Sequence, residues 1–247
     1  PTTTPTQTGF VPGPREIDDV KDKEYPYREL VGSLMYTATC TRPDICYSTS
    51  LSSRFLIDPG KKHWKYAKRI LRYLSCTKEM EIVYEDRRKK EGENEIRIRC
   101  DSSHADDKVA RRSTWGYNIY LNGNLVDWKS KLTGIVPLSV MEGELWGICN
   151  GIRDGIWIKR LYEFITGERI KVMIVETDNR ACKDLLINGK ISDRSKHIQI
   201  RYQYIKQAVE EGMITIKWIP TDANDADIHT KPLPPQAFEK HVRTMFG

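Results

Sequence analysis

The chain has 247 residues, 39% of them hydrophobic and 30% charged, which allows one large globular domain or two modest ones. Its net charge of +6 is modest, so the location of the cations matters more than their number. Six single cysteines without a C-x-x-C pair argue against a disulfide framework or a zinc site. The single cysteines suit the reduced thiols of an intracellular protein. No apolar run approaches the roughly 18 residues that cross a bilayer, so we expect no membrane partner.

The first third of the chain divides into an arm and a helical region. Residues 1–24 are rich in Pro, Thr and Gly and then in charge, and they predict a flexible arm or linker. Residues 25–84 have the apolar spacing of helices, with one helix around Leu30 and Leu34 and a second in "RPDICYSTSLSSRFL". The stretch "PGKKHWKYAKRILRYLSC" predicts a third helix.

The third predicted helix is strongly basic. Its cations, with no acid among them, are Lys61, Lys62, Lys65, Lys68, Arg69 and Arg72. Two interpretations stay open. The run is either an ordinary solvated face or a surface that follows a phosphate backbone, which the interleaved aromatic residues favour.

After the polar break "EDRRKKEGENE" the pattern changes to alternating strands and helices. The predicted strands are 95–101, 115–121, 124–131, 170–178 and 214–220, the second and third joined across "NGN", a hairpin signal. The predicted helices are about 141–165, 180–187, about 196–211 and one after Pro235. This order predicts an α/β fold with a mixed five-stranded sheet and flanking helices.

Four acids stand where these elements begin or end, namely Asp101, Glu144, Asp178 and Asp227. Each alone has an ordinary explanation as a turn or helix-end residue. If the first and fourth strands are neighbours, however, Asp101 and Asp178 come together, and crowded carboxylates repel one another unless cations neutralise them. Oxygen-only ligand sets select Mg²⁺ or Mn²⁺, and two such ions about 4 Å apart promote in-line phosphoryl displacement.

Several stretches of this second region occur in an order that resembles a known family. They are "CDSSHADD", "RRSTWGYNIYLNG", "WKSK", "LSVMEGELWGI", "ETDN", "SKHIQIRYQYIK" and "ADIHTKPLP". Together they resemble the ribonuclease H domain of copia-type LTR retrotransposon polyproteins. The earlier stretches "YPYRELVGSLMYTATCTRPDICYSTSLSSRF" and "HWKYAKRILRYL" resemble the end of the same family's reverse transcriptase, its thumb or connection region. The resemblance implies a small all-helical thumb-like region at 25–84 and a ribonuclease H-like domain at 95–247.

The resemblance also implies a function, a metal centre and partners. It implies an endonuclease that cleaves the RNA strand of RNA–DNA hybrids, with two Mg²⁺ or Mn²⁺ ions on Asp101, Glu144, Asp178 and Asp227. The polymerase part of a reverse transcriptase, or another chain, is a further expected partner. The expected location is the cytoplasm, in a virus-like particle, or the nucleus. The alternative is a domesticated or accessory binding module that has the fold without turnover.

The sequence departs from the family pattern at two places, and one family motif is missing. Ser103 stands where the family commonly has a second aspartate, and "LSVMEGE" offers two glutamates, Glu142 and Glu144. A helical wheel does not choose between them, whereas the resemblance of "ELWGI" to the family helix favours Glu144. No Tyr-x-Asp-Asp polymerase motif occurs, so we expect no DNA synthesis by this chain.

Further candidate nucleic-acid contacts lie outside the basic helix. They are Arg111, Arg112, Lys196, His197 and Arg201. The two arginines before the second strand suit phosphate geometry. His197 belongs to the family's K-H-I signature and is either a substrate contact or a structural helix-end residue. His229 is expected to assist product release or to lie at the surface.

Overall fold

The structure is a computed structural model that describes residues 2–16, 19, 25–88, 93–107, 110–189 and 196–247, without the side chains of 196–198. Its α-helices are α1 (Tyr27–Cys40), α2 (Cys46–Ser53), α3 (Lys61–Cys76), α4 (Val140–Thr166), α5 (Arg180–Asn188), α6 (Lys196–Glu210) and α7 (Pro235–Phe246). Its strands are β1 (Ile96–Ser102), β2 (Thr114–Leu121), β3 (Asn124–Leu132), β4 (Met173–Thr177) and β5 (Ile214–Trp218). Within the described residues, no helix has the length and apolar character needed to span a membrane.

The five strands form one mixed sheet in the order β3-β2-β1-β4-β5. The strands β1, β2 and β3 pair antiparallel as a meander, while β4 runs parallel to β1 and β5 parallel to β4. The helices α4, α5 and α6 lie between strands of this sheet in the chain and contribute to one core with it. The predicted fold class, a mixed five-stranded sheet with flanking helices, is confirmed.

The alternation in β1 has a different cause on each face of the sheet. Ile96, Ile98 and Cys100 are fully buried in the core that the sheet shares with α4. Arg97 and Arg99 point to the opposite face, as alternate residues of a strand must. Arg97 and Arg99 are therefore not simply exposed to solvent. Their ion-pair partners come from other elements of the fold.

Those partners form an ionic network under the sheet. Arg97 Nη1 donates to Glu176 Oε1 at 2.8 Å, and Arg99 Nε donates to Glu176 Oε2 at 2.9 Å from the neighbouring strand β4. Arg99 Nη1 also donates to Asp225 Oδ2 at 2.5 Å. Because Asp225 is fully buried, this link ties the segment after β5 to the first strand.

Replacing Asp225 by alanine should therefore lower the free energy of unfolding by about 3–5 kcal/mol, because it leaves a largely buried cation without this partner. Asp225 also accepts from Asn118 Nδ2 at 2.9 Å and from the Tyr120 hydroxyl at 2.8 Å. Urea unfolding measures the change, with Asp222→Ala as the control, since the Asp222 side chain is 76% exposed. The exposed control should lower stability by at most about 1 kcal/mol, and equal effects would show that Arg99 gains nothing from Asp225.

A stripe of glycines lets α4 lie unusually close to β1. The glycines recur at every fourth position of the helix and are Gly143, Gly147, Gly151 and Gly155. A Cβ at Gly143 would stand 2.7 Å from Ser102 Oγ, and one at Gly151 would stand 2.8 Å from Ile98 Cγ2. Both distances are shorter than any real contact of a Cβ atom. The glycines therefore allow α4 to pack directly against β1.

The helical region packs on the second face of the sheet. Residues of α1, α2 and α3 share a hydrophobic core with Tyr120 and Leu125 of the sheet and with α7. Trp128 Nε1 donates to the carbonyl of Ala38 at 2.7 Å across this contact. The 25–84 segment thus forms a second core against the other face of the sheet, and the domain boundaries drawn from the sequence stay a prediction.

The described part of the arm differs from the expected flexible segment. Thr4 and Thr6 are buried, and the Thr6 hydroxyl lies 2.6 Å from Ser48 Oγ and 2.5 Å from the Tyr66 hydroxyl. His63 Nε2 lies 2.9 Å from the carbonyl oxygen of Gly13. A Pro- and Thr-rich composition predicts low intrinsic order, but here the helices supply polar partners that hold residues 2–16 against α2 and α3. The predicted segment 17–24 lies, apart from residue 19, outside the described residues.

Candidate metal centre

Two aspartates meet because their strands are parallel neighbours. The register pairs Arg99 with Glu176, and two residues further along both strands stand Asp101 and Asp178. Asp227 comes from a short 3-10 turn, Asp225–His229, that follows β5. One carboxylate oxygen from each of Asp101, Asp178 and Asp227 lies within 4.8 Å of the others. The sheet edge thus gathers three of the four predicted acids.

The structure places Glu144, the fourth acid, beside the aspartates. Glu144 is only 4% exposed, and its Oε2 has no hydrogen-bond partner among the described residues. Burial, together with the charges of Asp101 and Asp178, raises the pKa of this carboxyl well above its usual range. A buried acid with an unpartnered oxygen facing two other acids is a place for a cation.

Glu142, the competing glutamate, serves the helix instead. Its Oε2 accepts from the Leu138 backbone N–H at 2.8 Å, and its own N–H donates to Ser139 Oγ at 3.2 Å. These reciprocal bonds close the N-terminus of α4 in the manner of a capping box. The electrostatic link of Glu144 to Asp101 and Asp178 and the backbone bonds of Glu142 favour Glu144 as the ligand, and this choice stays a prediction.

Neighbouring residues hold the aspartates in place. The Thr230 hydroxyl donates to Asp101 Oδ2. Asn224 Nδ2 donates to Asp178 Oδ1 at 3.2 Å and to the Cys100 carbonyl at 3.0 Å. Both residues come from the segment after β5 and are fully buried. Sequence reasoning missed them, although Thr230 lies in the quoted "ADIHTKPLP", because no spacing rule assigns a threonine or an asparagine to a carboxylate.

Lys231 is a third residue that the sequence interpretation missed. Its Nζ lies 2.9 Å from Asp227 Oδ1 and 3.9 Å from Asp101 Oδ2. Burial and the charge of Asp101 raise the pKa of Asp227 to about 8, while the ammonium of Lys231 opposes this rise. Lys231 therefore only partly offsets the combined effect of burial and the neighbouring carboxylate on Asp227.

The residues present fit a hard divalent cation. All four donors are carboxylates, which suits Mg²⁺ or Mn²⁺ and disfavours metals that prefer nitrogen or sulfur. The orphaned oxygen of Glu144 and the close approach of the three aspartates are what a shared ion would satisfy. Asp101, Glu144, Asp178 and Asp227 are the residues that would hold it.

His229 is not a surface residue, so that half of the expectation is wrong, while a role in product release stays a prediction. It is fully buried, its Nε2 shares a hydrogen bond of 2.7 Å with Asn118 Oδ1, and burial lowers its pKa to about 3. A Cβ at Gly116 would collide with the Cβ of His229, so the position of the ring depends on that glycine. His229 fastens the turn that carries Asp227 to β2.

The basic helix α3 presents its cations in two groups. Lys62 Nζ lies 3.0 Å from Glu16 Oε1 and Arg69 Nη2 donates to Thr4 Oγ1 at 3.2 Å, so both contact the arm. The other four follow one exposed face at helical spacing and are Lys61, Lys65, Lys68 and Arg72. We call these four the α3 stripe.

The remaining predicted contacts are scattered. Arg111 is exposed with a φ of 53°, and Arg112 beside it is partly exposed. The guanidinium carbon of Arg201 lies 3.6 Å from the centroid of the Trp146 ring, a cation–π contact between α6 and α4. The side chains of Lys196 and His197 lie outside the described residues.

Comparison with known proteins places the chain in a family. No family model matches it. It is 36% identical to the retrovirus-related Pol polyprotein from transposon TNT 1-94 of Nicotiana tabacum over 87% of the chain and 16% of that protein. Identity to the polyprotein from transposon RE1 of Arabidopsis thaliana is 34%, over 86% of the chain and 14% of that protein.

The chain thus spans about a sixth of the length of the curated relatives it matches. Among solved structures, a foamy viral protease-reverse transcriptase in complex with double-stranded DNA matches 79% of the chain and 32% of its own length, at 13% identity and a TM-score of 0.50. That likeness concerns the fold alone. The chain belongs to the retrovirus-related Pol polyproteins of transposons.

Proposed function

We propose that this chain is a metal-dependent endonuclease that cleaves the RNA strand of RNA–DNA hybrids. The observation that carries the proposal is the close approach of Asp101, Asp178 and Asp227, with Glu144 of α4 beside them as a buried acid whose Oε2 has no partner among the described residues. Membership of a family of retrovirus-related Pol polyproteins also supports the proposed function. The structural relative solved with double-stranded DNA supports nucleic-acid binding.

The residues of the centre have separate tasks in this proposal. Asp101, Glu144, Asp178 and Asp227 hold two Mg²⁺ or Mn²⁺ ions. When bound, such ions would supply Lewis-acid activation of a water and of the leaving 3′ oxygen, the chemistry of an in-line displacement that would yield 5′-phosphate and 3′-hydroxyl ends. Thr230 orients the carboxylate of Asp101. The protein reads the shape and the 2′-hydroxyl groups of the hybrid rather than its sequence.

A cleavage assay with an RNA strand labelled in an RNA–DNA hybrid tests the proposal. We expect cuts in the RNA strand with Mg²⁺ or Mn²⁺ and none with EDTA, while double-stranded DNA stays intact. Binding of the hybrid without cleavage under any metal would favour the alternative, a domesticated or accessory module with the fold and no turnover. We also propose that the polymerase part of a reverse transcriptase, or another chain, is its partner in a cytoplasmic particle or the nucleus.

The α3 stripe should contribute to hybrid affinity and leave the chemical step unchanged. Changing Lys61, Lys65, Lys68 and Arg72 together to glutamine should weaken hybrid binding, because exposed cations on one helical face can follow a phosphate backbone without reading bases. Each cation that no longer pairs with a phosphate should reduce the slope of log affinity against log salt by about 0.7–0.9. Fluorescence anisotropy at several salt concentrations measures this slope, and cleavage at saturating hybrid should be unaltered.

The control for the α3 stripe removes equal charge from other exposed positions. A suitable quadruple variant changes Lys78, Arg169, Lys171 and Arg243 to glutamine. It alters the net charge identically but has no common helical face. If both quadruple variants shift the salt slope by the same amount, the stripe has only a general charge effect and binds no backbone.

A further inference from the structure

We propose that Lys231 is a built-in counter-cation that stabilises the carboxylate centre in the absence of metal and competes with divalent ions for it. The inference rests on the proposed function, since it concerns the same centre. The proposed function assigns the acids as metal ligands. The inference adds that Lys231 regulates their affinity for the metal. The ligand class is a divalent cation, and the competitor is an ammonium group of the chain itself.

The position of the ammonium supports competition rather than simple proximity. Lys231 Nζ lies 2.9 Å from Asp227 Oδ1 and 3.9 Å from Asp101 Oδ2, between two acids that would hold the metal. Three aspartate oxygens lie within 4.8 Å of one another, which leaves little room for an ammonium and an ion together. Lys231 therefore contacts the carboxylate of an acid that would hold the metal.

The partial exposure of Lys231 indicates that its ammonium can move away from the buried Asp101 and Asp227. The side chain of Lys231 is 41% exposed, whereas those of Asp101 and Asp227 are each 6% exposed. The charged head thus reaches into a buried centre from a stem at the surface. Because the four-carbon stem is flexible, the ammonium can move into solvent without repacking the core.

The balance of charge gives the expected direction. Three clustered aspartates share one lysine, and the neighbouring Glu144 Oε2 has no partner among the described residues. Removing the lysine leaves the acids uncompensated, so the metal-free protein should be less stable while the centre attracts a divalent ion more strongly. Partial exposure screens the effect, so we expect about a tenfold change in metal affinity, which corresponds to about 1.4 kcal/mol.

A matched control exists on α7. Lys240 Nζ lies 2.9 Å from Asp222 Oδ2, the same distance as the pair of Lys231 and Asp227, but the Asp222 side chain is 76% exposed. Lys240→Met removes an equal charge from an ordinary surface pair. Any effect of net charge on metal binding appears in both variants, and an effect of position appears only at Lys231.

The experiment measures binding of Mn²⁺ alone, without nucleic acid, by isothermal titration calorimetry, and thermal unfolding in EDTA. Lys231→Met should bind Mn²⁺ about tenfold more tightly than the wild type. Its midpoint in EDTA should fall by about 2–4 °C, and this loss should be recovered at saturating Mn²⁺. Lys240→Met should match the wild type in both. If Lys231→Met does not fold, Lys231→Gln is compared in the same way.

The outcomes separate the inference from the proposed function. If the wild type binds Mn²⁺ and Lys231→Met binds it equally or more weakly, the competition is overturned while the metal centre stands. If neither binds Mn²⁺, the metal centre is wrong, and the proposed function falls with the inference. Tighter binding by Lys231→Met alone supports both.

Discussion

Asp178→Asn should abolish cleavage of an RNA–DNA hybrid, with a loss of about 10³-fold or more, and should leave metal-free hybrid binding unchanged or slightly tighter. Loss of a group that only orients a metal ligand costs about 10–100-fold, so loss of a ligand should cost more. An amide keeps the shape of the side chain but gives up the charge that attracts the cation. It also removes one negative charge from a surface that must accept phosphates.

Folding should tolerate this change. Asp178 is only partly buried, and its Oδ1 accepts a hydrogen bond from Asn224 Nδ2, which the amide oxygen of asparagine can equally accept. The three acids that remain also repel one another less. We therefore expect an unfolding midpoint at or above that of the wild type in EDTA.

Asp184→Asn is the matched control for Asp178→Asn. It makes the same chemical change on α5, at a side chain that is 70% exposed. Cleavage and binding should both stay at the wild-type level. A folded Asp178→Asn protein that loses binding in EDTA as strongly as cleavage would argue against a metal role for Asp178.

The convergence of the aspartates was predictable because it follows from sheet geometry. Asp101 and Asp178 end strands that alternate or are strongly apolar, and two such strands side by side in parallel bring their carboxyl ends together. The strand pattern therefore predicts that two of the acids meet once β1 and β4 are neighbours, as they are here. Asp227 was identified through the family resemblance, since it lies in a short turn without periodicity.

The partners of the cations and of His229 were not predictable, since they are distant in sequence. Arg99 alternates like a solvated strand residue, yet it pairs with Glu176 and Asp225, 77 and 126 positions away. His229 is buried only because Gly116 leaves room for its ring. Likewise, the composition of the arm could not show that the Thr6 hydroxyl would form hydrogen bonds with Ser48 and Tyr66.

Glu144→Gln should reduce cleavage by at least about 100-fold while leaving the metal-free protein as stable as the wild type or more stable. The reason is the raised pKa of Glu144, which comes first from burial and then from the charge of Asp101. A folded state that raises the pKa of an acid disfavours its charged form, so the charge costs stability at neutral pH. The gain from glutamine should therefore be largest at high pH and vanish below about pH 4, where the unfolded glutamate is also protonated.

Glu142 offers the opposite pattern two residues away. Glu142→Ala removes the acceptor for the Leu138 N–H at the start of α4, and it should cost about 0.5–2 kcal/mol of stability. Its cleavage activity at a temperature where it is folded should stay within a few-fold of the wild type. Glu144→Gln should thus lose cleavage activity while staying stable. Glu142→Ala should lose stability while staying active.

The crossed pattern distinguishes a ligand from a helix cap more sharply than either variant alone. Urea unfolding in EDTA at pH 5 and pH 8, with cleavage measured on the same preparations, gives all the required quantities. If Glu142→Ala is inactive while folded and Glu144→Gln is active, the ligand from α4 is Glu142. The start of α4 would then have to turn in the active enzyme. Gly143 already lies close to Ser102, since an added Cβ would stand 2.7 Å from Ser102 Oγ, so there is little space for such a turn. If both variants become equally inactive, the helix start acts as one unit and the buried oxygen of Glu144 is not itself a metal ligand.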